Sequence, residues 1–192
     1  MLTSEPGGRG GDVPGPDRAP MTAIPDRIER AVAMLDVQPH SRILEIGCGA
    51  GLAIACLCER APSATIAAID RSPAMIDRAR ANNREATIAG RVALQQGALA
   101  GARLPRAAFD IIFAINVNIF WRGGAREIEA VKALLAPKGS FWTFYEPPVA
   151  AKTRSIAKNV RSALARGGFA VERVVDDPES RKPFVAIAAK IG

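Results

Sequence analysis

Three glycines spaced by single residues close a short apolar run, and this feature constrains the chain more than any other. The run reads Ile43-Leu44-Glu45-Ile46-Gly47-Cys48-Gly49-Ala50-Gly51. Its apolar half suits a buried strand of a parallel sheet. Its glycine half suits a tight turn that needs positive φ and lets the backbone lie against a ligand, since glycine has no Cβ. A helix that follows such a turn presents unpaired N–H groups at its start. Together these features predict an α/β unit with an elongated polar ligand held at the carboxyl end of its first strand.

The third glycine narrows the choice of ligand. A dinucleotide fingerprint requires G-x-G-x-x-G. Gly47 and Gly49 fit it, but Leu52 stands where the third glycine belongs, and Gly51 comes one place early. That break argues against a nicotinamide dehydrogenase. A second apolar run, Ala67-Ala68-Ile69, ends in Asp70, 19 residues past Gly51. A ribose-binding carboxylate is expected about there, after one crossover helix.

Strand and helix signals alternate along the rest of the chain. Ile24, Ile28, Ala31, Val32 and Leu35 recur at helical spacing before the first strand, and Pro39 ends that helix. Strands are expected at 42–46, 65–69, 91–96, 109–116 and 140–145. The third alternates as an edge strand would, and the fourth is a near-continuous apolar run, as a central strand covered on both faces would be. Helices are expected at 50–60, from Pro73 to about Ile88 with Ser72 as N-cap, at 124–135 and at 152–166, with a turn at Pro137-Lys138-Gly139. Strands at 169–175 and 184–190 are joined by a polar loop with no helix, which favours an antiparallel pair. Residues 1–20 are rich in glycine and proline and lack periodicity, so they are expected to be a disordered tail ahead of a single domain over 21–192.

The form E-x-G-x-G-x-G, with Asp70 and the strand pattern in register, resembles the class I S-adenosylmethionine-dependent methyltransferases. The resemblance covers roughly Ile24 to Lys190. It implies a three-layer α/β sandwich around a mostly parallel seven-stranded sheet, ordered 3-2-1-4-5-7-6, with an antiparallel hairpin at the carboxyl end. It implies S-adenosyl-L-methionine as cofactor, held by Glu45, Gly47, Cys48, Gly49, Gly51, Asp70, Arg71, Met75, Gly97, Ala98 and Asn116. Within that set Glu45 helps anchor the amino-acid end, Asp70 takes the ribose, and Arg71 and Met75 flank the adenine. Met75 suits the core equally well. Cys48 is read as a small packing residue whose backbone matters and whose thiol does not. The chain departs from the family pattern at Gln96-Gly97-Ala98, where many members carry an adenine-binding Asp.

Catalytic residues are harder to read, because methyl transfer depends first on alignment. A base helps only where the acceptor must lose a proton. Asn116, at the end of the fourth strand, and Glu146, after the fifth, are the candidates, with Trp121 and Tyr145 as candidate substrate contacts. Phe120 is placed with Trp121 as a pocket wall or as core. Asn116 suits equally a buried amide tying strand ends, and Glu146 a cap or loop acid. His40 is the only histidine, but it precedes the first strand and so lies at the amino edge of the sheet; Asp110 also begins its strand at that edge.

Charge and cysteine usage bound the partners. The net charge is +7, yet the arginines are spread out and aromatics are only 5%, which weighs against a nucleic-acid partner. The three cysteines, Cys48, Cys56 and Cys58, are odd in number, which argues against a disulfide framework. Cys56 and Cys58 are two apart on a helix and point to different faces, so no metal site is expected. The longest apolar stretch, 109–121, is interrupted by Asp110, Asn116 and Asn118 and falls short of the ~20 residues a membrane helix needs. The expected setting is cytoplasmic, with a small-molecule acceptor. Two alternatives stay open: an RNA- or protein-directed methyltransferase, and a catalytically silent cofactor-binding subunit.

Overall fold

A computed structural model describes residues 24–178 and 182–192. The expected tail, 1–20, lies outside these described residues. The elements in chain order are α1 (Asp26–Met34), β1 (Arg42–Ile46), α2 (Leu52–Arg60), β2 (Thr65–Asp70), α3 (Pro73–Asn82), α4 (Arg84–Ile88) and β3 (Val92–Gln96). There follow β4 (Phe109–Ile115), α5 (Ala125–Leu134), β5 (Leu135–Tyr145), α6 (Ala151–Arg166), β6 (Phe169–Asp177) and β7 (Phe184–Ile191). The seven strands form one sheet in the order β3-β2-β1-β4-β5-β7-β6. The pairs from β3 to β5 are parallel; β7 runs antiparallel to both β5 and β6.

Strand alternation splits the core into two layers. Ile43 and Phe113 face one side with Ile28 and Val32 of α1, Ile54 and Leu57 of α2, and Ile76 of α3. Leu44, Ile46 and Ile112 face the other with Ile128 and Val131 of α5 and Val160 and Leu164 of α6. Because both faces are covered, the central strands carry long apolar runs, Ile111–Ile115 of β4 above all. At the amino edge, Asp110 staples β4 to β1. Its Oδ2 accepts from the Arg42 backbone N–H at 2.9 Å and its Oδ1 from Arg42 Nη2 at 2.8 Å.

Several element ends differ from the sequence-based expectation, and two of the differences have a visible physical reason. The helix after β2 breaks at Asn83 into α3 and α4. There the buried Asn83 side chain donates to the carbonyls of Gly51 and Ala79, at 3.0 and 2.9 Å. A tertiary bond from the glycine turn thus takes an amide that the helix would otherwise leave idle. The turn at Pro137–Gly139 is also not a separate element. β5 starts at Leu135 and carries these residues as an irregularity, with the register shifting opposite Phe109 and Ile111. Lys138 takes φ +67° there.

Candidate functional site

The glycine turn is tied down before any ligand is considered. The N–H groups of Gly47 and Cys48 both donate to the Ile69 carbonyl, at 2.8 and 3.1 Å. This locks the end of β1 to the end of β2. Gly47, Gly49 and Gly51 all have positive φ, at 72°, 52° and 74°. Their surroundings differ. A Cβ on Gly47 would come within 2.7 Å of Val117, and one on Gly51 within 2.6 Å of Asn83 and 3.0 Å of Ala79. A Cβ on Gly49 would meet nothing within 4 Å. Two of the glycines therefore serve packing, and the middle one borders open space. α2 begins at Gly51 with no side-chain cap, so its first-turn N–H groups stay available to a ligand.

Two carboxylates flank this turn. Asp70 ends β2. Its Oδ2 accepts from the Gly49 N–H and its Oδ1 from the Ser72 N–H, each at 2.9 Å. Both of its oxygens therefore shape the turn. Glu45 is buried at 3% exposure in β1, and its Oε2 has no hydrogen-bond partner. Burial, and then the nearby charge of Asp70, push its carboxyl up to about 8. The same causes in the same place raise Cys48: burial first, then Glu45 and Asp70, pushing its thiol up to about 12. A thiol held that far up stays protonated, in keeping with a packing role.

The Glu45 environment has a consequence for stability. Between the ordinary carboxyl range and about pH 8, the unfolded chain has released this proton and the folded chain keeps it. Stability contributed by this group is therefore full at low pH and falls as pH rises through that window. Glu45→Gln keeps the shape and cannot ionise. Thermal melts should show little change at pH 5 and a higher Tm at pH 8.5. The gain is the free energy of keeping that proton on the folded chain above the ordinary carboxyl range, of order a few kcal/mol at pH 8.5, or a Tm higher by roughly several degrees.

The other residues of the expected cofactor set lie along the same carboxyl edge. Arg71 is exposed after β2, and Met75 is half-buried in the first turn of α3. Ser72 caps α3, its hydroxyl accepting from the Met75 N–H at 3.4 Å, with Pro73 at the first helical position. Gly97 follows β3 with φ +152°, and a Cβ there would meet nothing within 4 Å. Ala98 is exposed beside it and opens a short 3-10 turn at Leu99–Gly101.

At the ends of β4 and β5 the structure is more specific than the sequence pattern. Asn116 takes φ +57°. Its N–H donates to the Phe144 carbonyl at 2.8 Å, and its Oδ1 accepts from the Glu146 N–H at 2.9 Å. It thus ties the two strand ends together while its side chain stays exposed. Glu146 lies beneath α1, with Arg27 Nη1 3.8 Å from its Oε1, and its Oε2 is shielded and has no partner. Tyr145 is buried, and its hydroxyl donates to the Val117 carbonyl at 3.1 Å. Burial raises its pKa above the ordinary phenol value. Trp121 is half-buried, its Nε1 donating to Asn118 Oδ1 at 3.0 Å while Arg122 sits over its ring. Phe120 belongs to the core, edge-on to Phe141 with centroids 5.0 Å apart.

His40 stands in the turn before β1, at the opposite edge from these groups, with φ +66°. Three further residues shape the site without an obvious sequence signal: Asn83 behind Gly51, Val117 against Gly47, and Arg27 over Glu146. An Asn pair inside a helical run marks the first. The others are set by contacts between distant segments. Among the described residues, no group of three or more His, Cys, Asp or Glu side chains converges to hold a metal ion.

The arrangement fits a cation-bearing, ribose-bearing ligand. An unpartnered buried carboxylate oxygen at Glu45, open space over Gly49, free helix N–H groups at α2 and a carboxylate at Asp70 are the donors and acceptors such a ligand needs. A family model described as "Methyltransferase domain" matches residues 43–139. No curated protein matches the chain in sequence. Among solved structures, a geranyl diphosphate C-methyltransferase from Streptomyces coelicolor A3(2), solved with Mg2+, geranyl diphosphate and S-adenosyl-L-homocysteine, is similar in fold. Its identity is 13% and its TM-score 0.69, over 86% of this chain and 78% of that one. A SAM-dependent methyltransferase from Aquifex aeolicus has 18% identity and a TM-score of 0.71, over 86% of this chain and 89% of that one. An S-adenosylmethionine-dependent methyltransferase from Mesorhizobium loti has 23% identity and a TM-score of 0.65, over 85% and 97%.

Proposed function

The chain belongs to the methyltransferase-domain family, and on that premise we propose that it moves the methyl group of S-adenosylmethionine to a small-molecule acceptor. Bound S-adenosylmethionine supplies a methyl group made electrophilic by its sulfonium. Glu45 offers its unpartnered oxygen to the ammonium of the amino-acid end. The backbone at Gly47, Cys48, Gly49 and Gly51 admits the ligand, Asp70 takes the ribose hydroxyls, and Arg71, Met75, Gly97 and Ala98 border the adenine.

The observation that supports a small acceptor is the cover over Glu146. Its Oε2 is shielded and unpartnered, and Arg27 of α1 reaches across to 3.8 Å. A carboxylate placed under a helix suits a compact acceptor better than a macromolecular surface. One fold neighbour, the geranyl diphosphate C-methyltransferase, was solved with geranyl diphosphate, a small molecule. In this reading Glu146 orients the acceptor or takes its proton. Asn116 holds Glu146 in place through its backbone, Trp121 walls the acceptor space, and Tyr145 positions the loop at Val117.

Transfer of labelled methyl from S-adenosylmethionine in fractionated extract tests the acceptor class. Label should collect in the low-molecular-mass filtrate. Label confined to RNA or protein would overturn the small-molecule reading. With the acceptor in hand, Glu146→Gln should lower kcat about 10²-fold or more if the acceptor must lose a proton. His40→Ala, at the far edge, should leave kcat nearly unchanged. Loss of turnover in a folded His40→Ala protein would show that the active edge is misplaced.

A further inference from the structure

A groove between α6 and β6, far from the glycine turn, carries a strong charge bias. α6 holds five cations, Lys152, Arg154, Lys158, Arg161 and Arg166, and no acid. Arg154, Lys158 and Arg161 stand at i, i+4 and i+7, so they share one face of the helix. All three are exposed, and among the described residues none of them makes an ion pair. That face lines a groove of about 650 Å³ with Ala157, Val174 and Asp176.

The groove exists because β6 is irregular. Val171 pairs with Ala189 and Arg173 with Ala188, so one extra residue is inserted between them. Strict alternation from Phe169 and Val171 would turn Arg173 toward α6. The inserted residue instead turns Val174 and Asp176 that way, as a bulge re-aims side chains. Both then line the groove, and Val174 is left 39% exposed. β6 is also the last strand of the sheet. Among the described residues, only β7 pairs with it, so its other edge presents a row of backbone donors and acceptors.

We propose that this groove docks an acidic, extended segment of a partner protein, which adds a strand to the free edge of β6 and sets its carboxylates against Arg154, Lys158 and Arg161. Charge complementarity carries the choice of an acidic occupant. The spacings are also compatible. The three cations are separated by about 6 and 4.5 Å along the helix axis. Alternate side chains of an extended segment are about 6.6 Å apart, within the reach of long, flexible basic side chains. Exposed Val174 offers the apolar contact that such strand addition uses for specificity. Single-stranded nucleic acid fits less well, because stacking needs an exposed aromatic face and Phe169 is buried. An anionic membrane also fits less well. α6 spends its apolar face, Ile156, Val160 and Leu164, on the core and has none to insert.

The test uses the full chain and a fluorescein-labelled peptide of alternating Glu and Val, twelve residues long, followed by anisotropy. The peptide should bind, weaken as salt rises, and lose at least tenfold in affinity in R154E/K158E/R161E. Binding of S-adenosylhomocysteine should not change. If the triple variant melts early, K158Q/R161Q serves in its place and should still weaken the peptide severalfold. Hydrogen exchange should show peptide-dependent protection of β6 amides. No peptide binding, binding indifferent to these charges, or protection outside α6 and β6 would overturn the proposal. So would tighter binding of a twelve-residue oligouridylate or of phosphatidylserine vesicles. Self-association that the triple variant abolishes would assign the groove to a second copy and overturn it as well.

Discussion

Asp70→Ala should lower the affinity for S-adenosylhomocysteine at least about tenfold, a loss of roughly 1.4 kcal/mol or more, and should also cost stability. The first effect follows from the proposed role at the ribose, where hydrogen bonds to a charged group contribute about 1.5–3 kcal/mol each. The second follows from bonds that the structure shows. The two oxygens of Asp70 accept from the Gly49 and Ser72 N–H groups at 2.9 Å, so the alanine leaves both ends of the turn without their acceptor. We expect about 2–4 kcal/mol of destabilisation, or a Tm lower by roughly 5–12 °C. Asp70→Asn separates the two effects, because its carbonyl oxygen can keep one turn bond while the charge is lost. Calorimetry should find weak ligand binding in both variants and a milder thermal loss in Asn. Unchanged affinity in either would assign Asp70 to the turn alone.

A paired substitution in the glycine turn should give opposite outcomes at neighbouring positions. Gly51→Ala places a Cβ 2.6 Å from Asn83 Nδ2 and 3.0–3.1 Å from Ala79, in a residue with φ +74°. The left-handed conformation costs about 1–2 kcal/mol with a Cβ, and crowding against α3 adds about 1–3 kcal/mol. The Tm should fall by roughly 5–20 °C. Gly49→Ala has a similar conformation, φ +52°, but its Cβ meets nothing within 4 Å. Only the conformational cost of about 1–2 kcal/mol remains. Gly49→Ala should therefore fold with a small thermal loss and yet bind S-adenosylhomocysteine poorly, because the methyl group fills the space proposed for the ligand. Wild-type affinity in Gly49→Ala would show that the ligand does not approach the turn at that point.

The two glycines are indistinguishable in the sequence. Spacing marks both as turn residues, and only the packing of α3 shows that Gly51 serves the fold and Gly49 faces open space. The same division runs through the acids. Asp70 is legible because it ends an apolar strand at a fixed interval after the turn. Its two hydrogen bonds, accepted from the Gly49 and Ser72 N–H groups, are not, since they depend on how β1 and β2 align. Tyr145 and Trp121 read as substrate contacts because both are amphipathic and stand at the active edge. Their polar atoms are instead bonded within the protein, to Val117 and Asn118. Phe120, which alternation left between wall and core, is fully buried.

By itself the sequence determined the order of strands and helices, the position of the glycine turn, the sheet edge at which the candidate residues stand and, through resemblance, the sheet order with its antiparallel end. All but the sheet order depend on local signals: side-chain period, glycine spacing and the length of connections. Tertiary structure alone decided the break at Asn83, the bulge that turns Val174 toward α6, and the placing of Arg27 over Glu146. Each is a contact between segments far apart in the chain. Its energy exists only once both segments are in place, so neither segment carries a local pattern that foretells it.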